Sequence, residues 1–242
     1  MLLSSNSADR WYVVSNGITL GVSGIEAELG DHICGLYRGE SQRDQVLIPF
    51  LEAGLTAGDK CICVVDGTDP TKIVSTLGAR LDASAVVHTK QLEVIRASDM
   101  YLRSGGFSAD EVIGAWKAAM SDVMYDGRFD AVRAVETWSR RDVVPDTQEL
   151  LVLESEMNRY LQLFPQVVVC LYDIDRFGGG IIINLLKTHP RVLVGEVLLE
   201  NPYYLTPDEL LTEVAQSDER VTANPEIEKA AQWYFDETTG ST

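Results

Sequence analysis

Basic residues are scarce in this 242-residue chain: 20 Lys and Arg stand against 37 Asp and Glu, a formal net charge of -17. That balance argues against direct nucleic-acid binding, which needs a basic face for phosphate. No apolar run reaches the ~18–20 residues of a membrane span, and "MLLSSNSADRWYVV" lacks the basic and apolar regions of a secretory signal. Cysteine is limited to four positions, 34, 61, 63 and 170, with no C-x-x-C pair. Buried thiols in a reducing cytoplasm are therefore expected rather than disulfides. There is no G-x-S-x-G nucleophile elbow and no spaced G-x-G-x-x-G.

A working phosphate loop is also missing, although its surroundings are present. An apolar strand, "HICGLY" (32–37), precedes the turn Arg38-Gly39-Glu40-Ser41-Gln42-Arg43-Asp44, a helix (43–58) and a second strand (60–66). A phosphate loop needs small residues that let backbone N–H groups wrap the phosphates, a Lys, and a Ser or Thr for magnesium. Here Glu40 and Asp44 would face the nucleotide's own charge, and the Lys is absent. ATP is thus disfavoured as a cofactor and ATP hydrolysis as an activity. The turn is expected to keep phosphate-loop geometry while losing its chemistry, with Pro49 in the first two turns of the helix.

What is present alternates. Helices are expected at 69–81, started by Asp69-Pro70; at 108–127, with a Ser108…Glu111 capping box; at 146–164; and from 181 to a stop at Pro190. Strands are expected at 92–97, 129–138 and 166–173, nearly continuous in apolar residues. Such alternation predicts an α/β fold, a mainly parallel sheet with helices on both faces and a RecA/KaiC-like core. Residues 1–30 are expected to be an arm or edge hairpin, 31–212 one domain, and 213–242 an acidic, partly helical tail.

Ligands of open parallel sheets bind at the carboxyl ends of the strands. That selects Tyr37, Asp66, Glu136, Trp138, Tyr172 and neighbouring residues. His32 and Cys34 share one face of their strand, and a RecA-like order places Cys170 beside them while leaving Cys61 and Cys63 remote. His32, Cys34 and Cys170 are then the one plausible metal cluster, with structural roles open for each. His189 closes a helix, where a protonated imidazole would complement the dipole. "ENPYY" supplies a turn at Asn201 and aromatic bodies at Tyr203 and Tyr204 that could wall a pocket or pack an edge.

The pieces "DHICGLY", "LIPFLEAGLTAGDKCICVVD", "RAVETW", "ESEMNRYL", "VVVCLYDIDRFGG" and "LLKTHPRVLVGEVLLENPYYLTPDEL", in that order, resemble the MEDS family. This is the sensory domain named from methanogens, methylotrophs and the regulator DcmR. The resemblance implies a RecA/KaiC-like fold without a functional phosphate loop, sensing small organic compounds. It matches His32, Cys34, Tyr37, Trp138, Glu154, Cys170, Tyr172, His189, Asn201, Pro202 and Tyr203, while Glu136 departs from a smaller or apolar expectation. The implied function is a stand-alone cytoplasmic sensor for a small organic molecule. It would signal to a separate regulatory protein of kinase, anti-sigma or transcription-factor type, with self-association open. The alternatives are a metal- or nucleotide-dependent enzyme and a ligand-independent interaction module.

Overall fold

A computed structural model describes residues 17–22 and 24–222, and the side chains up to 216. Residues 1–16 of the arm or hairpin expected at 1–30, and the tail beyond 222, lie outside the described residues. The helical order is α1 (Gly39–Ala57), α2 (Pro70–Gly78), α3 (Ala83–His88), α4 (Ala97–Tyr101), α5 (Ala109–Asp126), α6 (Thr147–Leu161), α7 (Gly179–Thr188) and α8 (Pro207–Thr222). The strands are β1 (Ile18–Thr19), β2 (Glu26–Ala27), β3 (His32–Tyr37), β4 (Lys60–Val65), β5 (Leu92–Arg96), β6 (Val132–Trp138), β7 (Gln166–Asp173), β8 (Arg191–Val194) and β9 (Val197–Glu200). Because α8 runs through residue 212, it straddles the expected boundary with the tail.

Seven strands form one sheet in the order β5-β4-β6-β7-β3-β8-β9, and β1 and β2 form a separate hairpin. All pairings within the large sheet are parallel except β8 with β9. β3 therefore lies beside β7, with β4 further off, the neighbour relation expected of a RecA-like order. The reason is burial: every residue of β4, β6 and β7 is buried, so these strands must be covered on both faces.

Side-chain alternation sorts the core into two layers. On one face, even-numbered residues of β3, β6 and β7 pack under α4, α5, α6 and α7. On the other, odd-numbered residues, including Tyr37, Cys61 and Cys63, pack under α1, α2 and the hairpin.

Several local expectations change. Arg38 alone joins β3 to α1, so no phosphate loop exists; the helix begins at Gly39, which takes a φ of 71°. Pro49 consequently sits inside α1 rather than in its first turns. The capping box at Ser108 does not form, because the Ser108 side chain makes no cap bond and Glu111 instead accepts from Ser104. The Asp69 cap does form, accepting from the Thr71 N–H at 2.9 Å. The short α3 and α4 are additions to the expected elements, each too brief to show helical periodicity.

Candidate functional site

The register aligns three strands into an array on the even-numbered face. Glu136, Cys170 and Cys34 form one row across β6, β7 and β3; Trp138, Tyr172 and Leu36 form the next. His32 lies one row below, paired with Val168. α6 crosses this face, and its apolar stripe of Leu150, Leu153, Met157 and Leu161 packs on the sheet. Glu154 and Asn158 sit within that stripe, so a carboxylate is carried into the core, 1 % exposed.

Four groups converge there. His32 Nε2 lies 3.3 Å from Cys170 Sγ and 3.3 Å from Glu154 Oε2. Glu154 Oε2 lies 3.5 Å from His189 Nε2 and 3.7 Å from Cys170 Sγ. One ligating atom from each of His32, Glu154, Cys170 and His189 falls within 4.8 Å of the others, and all four residues are buried. The elements responsible are β3, α6, β7 and the junction between α7 and β8.

A surrounding set of bonds orients them. Tyr172 donates its hydroxyl to Glu154 Oε1 at 2.6 Å. His32 Nδ1 meets Asn158 Oδ1 at 3.2 Å, while Asn158 Nδ2 donates to the Glu154, Ser155 and Thr188 carbonyls. His189 Nδ1 lies 2.8 Å from both the Leu185 carbonyl and Thr188 Oγ1. Asn201 donates to the carbonyls of Leu186 and His189, fixing the turn that presents the imidazole.

Burial sets the electrostatics. It pushes the His189 imidazole down to about 3, helped by the neighbouring His32 and opposed by Glu154, so the ring is neutral. This corrects the expectation of a protonated His189 at a helix end: desolvation of a fully buried ring outweighs the dipole. Burial alone would raise Glu154, but the His32 hydrogen bond, the His189 and His32 imidazoles and the Tyr172 hydroxyl outweigh it and hold the carboxyl below its ordinary value. Burial, with Glu154 and Glu136 nearby, raises the Cys170 thiol well above its usual range. Glu136, 6 % exposed, is raised to about 8 by burial and by Glu154. The Tyr101 hydroxyl and Trp138 indole N–H lean toward Glu136 without reaching full hydrogen-bond geometry.

Beside the cluster is a cavity of about 10 Å³, the space of a single water. His32, Glu136, Glu154 and Cys170 line it together with Val112, Trp116, Leu153, Met157 and Val168. An aromatic wall continues the same face: Tyr101 stacks on Trp138 at 4.8 Å, Trp138 runs parallel to Tyr172 at 6.5 Å, and Phe177 meets Tyr172 edge-on.

The structure thus gathers His32, Glu136, Trp138, Cys170, Tyr172 and His189, and backs them with Asn201. It separates others. Tyr37 has odd parity on β3 and points to the opposite layer, onto a groove of about 590 Å³ beside the hairpin. Cys34 shares the cluster's face but is outside the four-donor set, its place taken by Glu154 and His189. Asp66 is spent structurally, accepting backbone N–H bonds from Ser139, Arg141, Asp142 and Val143. Tyr203 is 70 % exposed and belongs to the surface turn, with its N–H bonded to Asn201. Asn158 is the addition to the selected residues, and Glu154, matched by the family resemblance, joins them. Their signal is two polar residues, four apart, in the apolar stripe of a helix.

At the carboxyl end of the sheet, Arg43 is buried against Thr68 and Asp44. The crevice that Arg43 shares with Tyr37, Asp66, Thr68 and Asp173 is about 20 Å³. Among the described residues no helix is long and apolar enough to cross a membrane.

Fold and site define an α/β domain with a mainly parallel sheet and a cluster of buried polar groups in the layer under α4 to α7. Residues 31–190 match MEDS, the MEthanogen/methylotroph, DcmR Sensory domain, and the chain belongs to that family. It is 26 % identical over 186 residues to the transcriptional repressor DcmR of Methylorubrum extorquens, spanning 76 % of this chain and 68 % of DcmR. Among solved structures it is similar to the flagellar accessory protein FlaH of Methanocaldococcus jannaschii. That likeness has a TM-score of 0.44 and 11 % identity, covering 70 % of this chain and 75 % of FlaH.

Proposed function

We propose that this chain is a sensory domain that binds a small organic molecule on the even-numbered face of the sheet and passes the signal to a regulatory protein. The observation that carries the reading is the concentration of two carboxylates, two imidazoles and a thiol in a largely apolar layer, where His32, Glu136, Glu154 and Cys170 line a small cavity and an aromatic stack continues the same face. A buried polar group costs free energy unless partnered, so such a set persists where it has a partner to meet. Glu136 adds a specific capability: held near pKa 8, its carboxyl can donate a hydrogen bond at neutral pH.

The cavity's size favours small ligands. A space of about 10 Å³ holds one water, so any organic ligand must part the side chains around it, and the parting is least for a molecule of very few heavy atoms. One-carbon compounds and short haloalkanes fit this chemistry better than nucleotides or sugars. Membership of a sensory family and similarity to a transcriptional repressor support a regulatory output. Signalling then requires the ligand to favour one of two conformations, recognised differently by a partner of kinase, anti-sigma or transcription-factor type.

Calorimetry and thermal-shift titration with methanol, formaldehyde, dichloromethane, longer haloalkanes and nucleotides test the proposal. Saturable binding by a one- or two-carbon compound, weakened at least tenfold by Glu136→Leu, is expected; nucleotides should not bind. No binding by any compound at millimolar concentration removes it.

A further inference from the structure

We infer that His32, Glu154, Cys170 and His189 form a buried divalent-metal site of the zinc class. The inference rests on the donor geometry and holds whether or not an organic ligand binds beside it.

The hydrogen bonds fix which ring nitrogens face the cluster. A backbone carbonyl can only accept, so the Leu185 contact places the proton of His189 on Nδ1. Asn158 donates through Nδ2 to three backbone carbonyls, which leaves its Oδ1 as the acceptor for His32 Nδ1. With each Nδ1 bearing its proton, Nε2 carries a lone pair in the neutral form of either ring, and each Nε2 faces Glu154 Oε2. Acceptors facing an anionic acceptor repel unless something positive stands between them. A single proton on His32 would satisfy one contact, but His189 Nε2, fully buried, finds no hydrogen-bond partner. Nor can both rings readily be cationic with their centroids 4.1 Å apart. One divalent ion satisfies all four groups together.

The spacing agrees. Ligands about 2.0–2.3 Å from a tetrahedral zinc lie about 3.3–3.7 Å from one another. Four of the six separations measure 3.3, 3.3, 3.5 and 3.7 Å, and the other two, from His189 Nε2 to His32 and to Cys170, fall within 4.8 Å. Binding displaces the Cys170 thiol proton to solvent, leaving one thiolate and one carboxylate against a divalent cation, so the site is formally neutral within an apolar layer. Two nitrogens, one sulfur and one carboxylate oxygen are poor donors for magnesium or calcium, and the carboxylate disfavours monovalent copper. The outer bonds complete the pattern of metal-bound histidines, each donating its other N–H to an oxygen. Those partners are Asn158, Leu185 and, for the carboxylate, the Tyr172 hydroxyl.

The test uses the full chain purified without added metal or chelator. Elemental analysis against protein concentration should give about one zinc-class ion per chain, as expected of a closed four-donor structural site. Chelator-stripped protein titrated with cobalt(II) should develop tetrahedral d–d bands and a thiolate-to-metal charge-transfer band. Cys170→Ser should abolish the charge-transfer band, and Asn158→Ala, which removes only an outer partner, should weaken affinity about 10–100-fold. Cys63→Ser, on the opposite layer, should leave stoichiometry and spectrum unchanged. A folded wild-type chain that neither carries nor takes up stoichiometric metal overturns the inference. So does a cobalt spectrum that is identical in Cys170→Ser.

Discussion

Gly54 and Gly114 are both interior helix glycines, yet alanine at the two positions should have opposite effects. In an open helix position Gly→Ala gains about 1 kcal/mol from backbone entropy and propensity. Gly114, on α5, has no atom within 4 Å of where a Cβ would stand, so Gly114→Ala should raise stability by about that amount. At Gly54 the same Cβ would come within 2.5 Å of Arg133 Cδ and 2.7 Å of Cys61 Sγ. Cys61 is fully buried and Arg133 is pinned, so neither can withdraw cheaply. Overpacking of this kind costs about 1–3 kcal/mol and reverses the sign. Urea denaturation of both variants, read by circular dichroism, decides it: a stabilised Gly54→Ala would show that Arg133 is freer than its bonds imply.

Arg133 also sets the behaviour of whole elements. Its guanidinium, 3 % exposed, pairs with Asp59 at 2.6 Å and donates to the Thr19 carbonyl, tying β6, the α1–β4 turn and the N-terminal hairpin to one point. Breaking a buried pair by removing one partner costs about 3–5 kcal/mol, mainly because the remaining charge is stranded. Asp59 is 15 % exposed and regains some water, so the low end of that range is expected for Arg133→Met. The hairpin should also loosen selectively, seen as new proteolytic cleavage within residues 17–30 while α5 and α6 stay protected. Unchanged cleavage would assign the hairpin's docking to Leu20, Val22 and Ile25 alone. Elements such as these were legible where period and punctuation agreed: the continuous apolar runs of β4, β6 and β7, and the Asp69 cap. The β3–α1 connection was not, because "RGESQRD" interleaves turn residues with helix formers. Burial of Arg43 against Thr68, 25 residues away, decides in favour of helix.

At the scale of the molecule, half of the site follows from strand parity. His32, Cys34, Glu136, Trp138, Cys170 and Tyr172 occupy one face because all are even-numbered on strands in matched register, and Tyr37 is excluded by the same rule. The rest depends on which way α6 and the α7–β8 turn face the sheet, and packing across more than 100 residues of chain sets that. The four donors come from β3, α6, β7 and the α7–β8 junction, so an ion among them cross-links these elements. The far edge, β5 with α2 and α3, supplies no donor. An ion that binds only the folded state stabilises it by about 2.7 kcal/mol at a concentration 100 times its dissociation constant. For a domain of this size that corresponds to a melting-temperature rise on the order of 5–10 °C. The gain should also be local. Amide hydrogen exchange measured with and without zinc should slow in β3, β7, the middle of α6 and residues 186–191, with little change in β5, α2 and α3. Uniform slowing would mean that the ion acts only through global stability, and slowing confined to the acidic surface would place it outside the core. Local slowing would instead mark the strands around the cavity as the part of the sheet whose rigidity a ligand can alter, which is the physical requirement for a sensor built into a closed core.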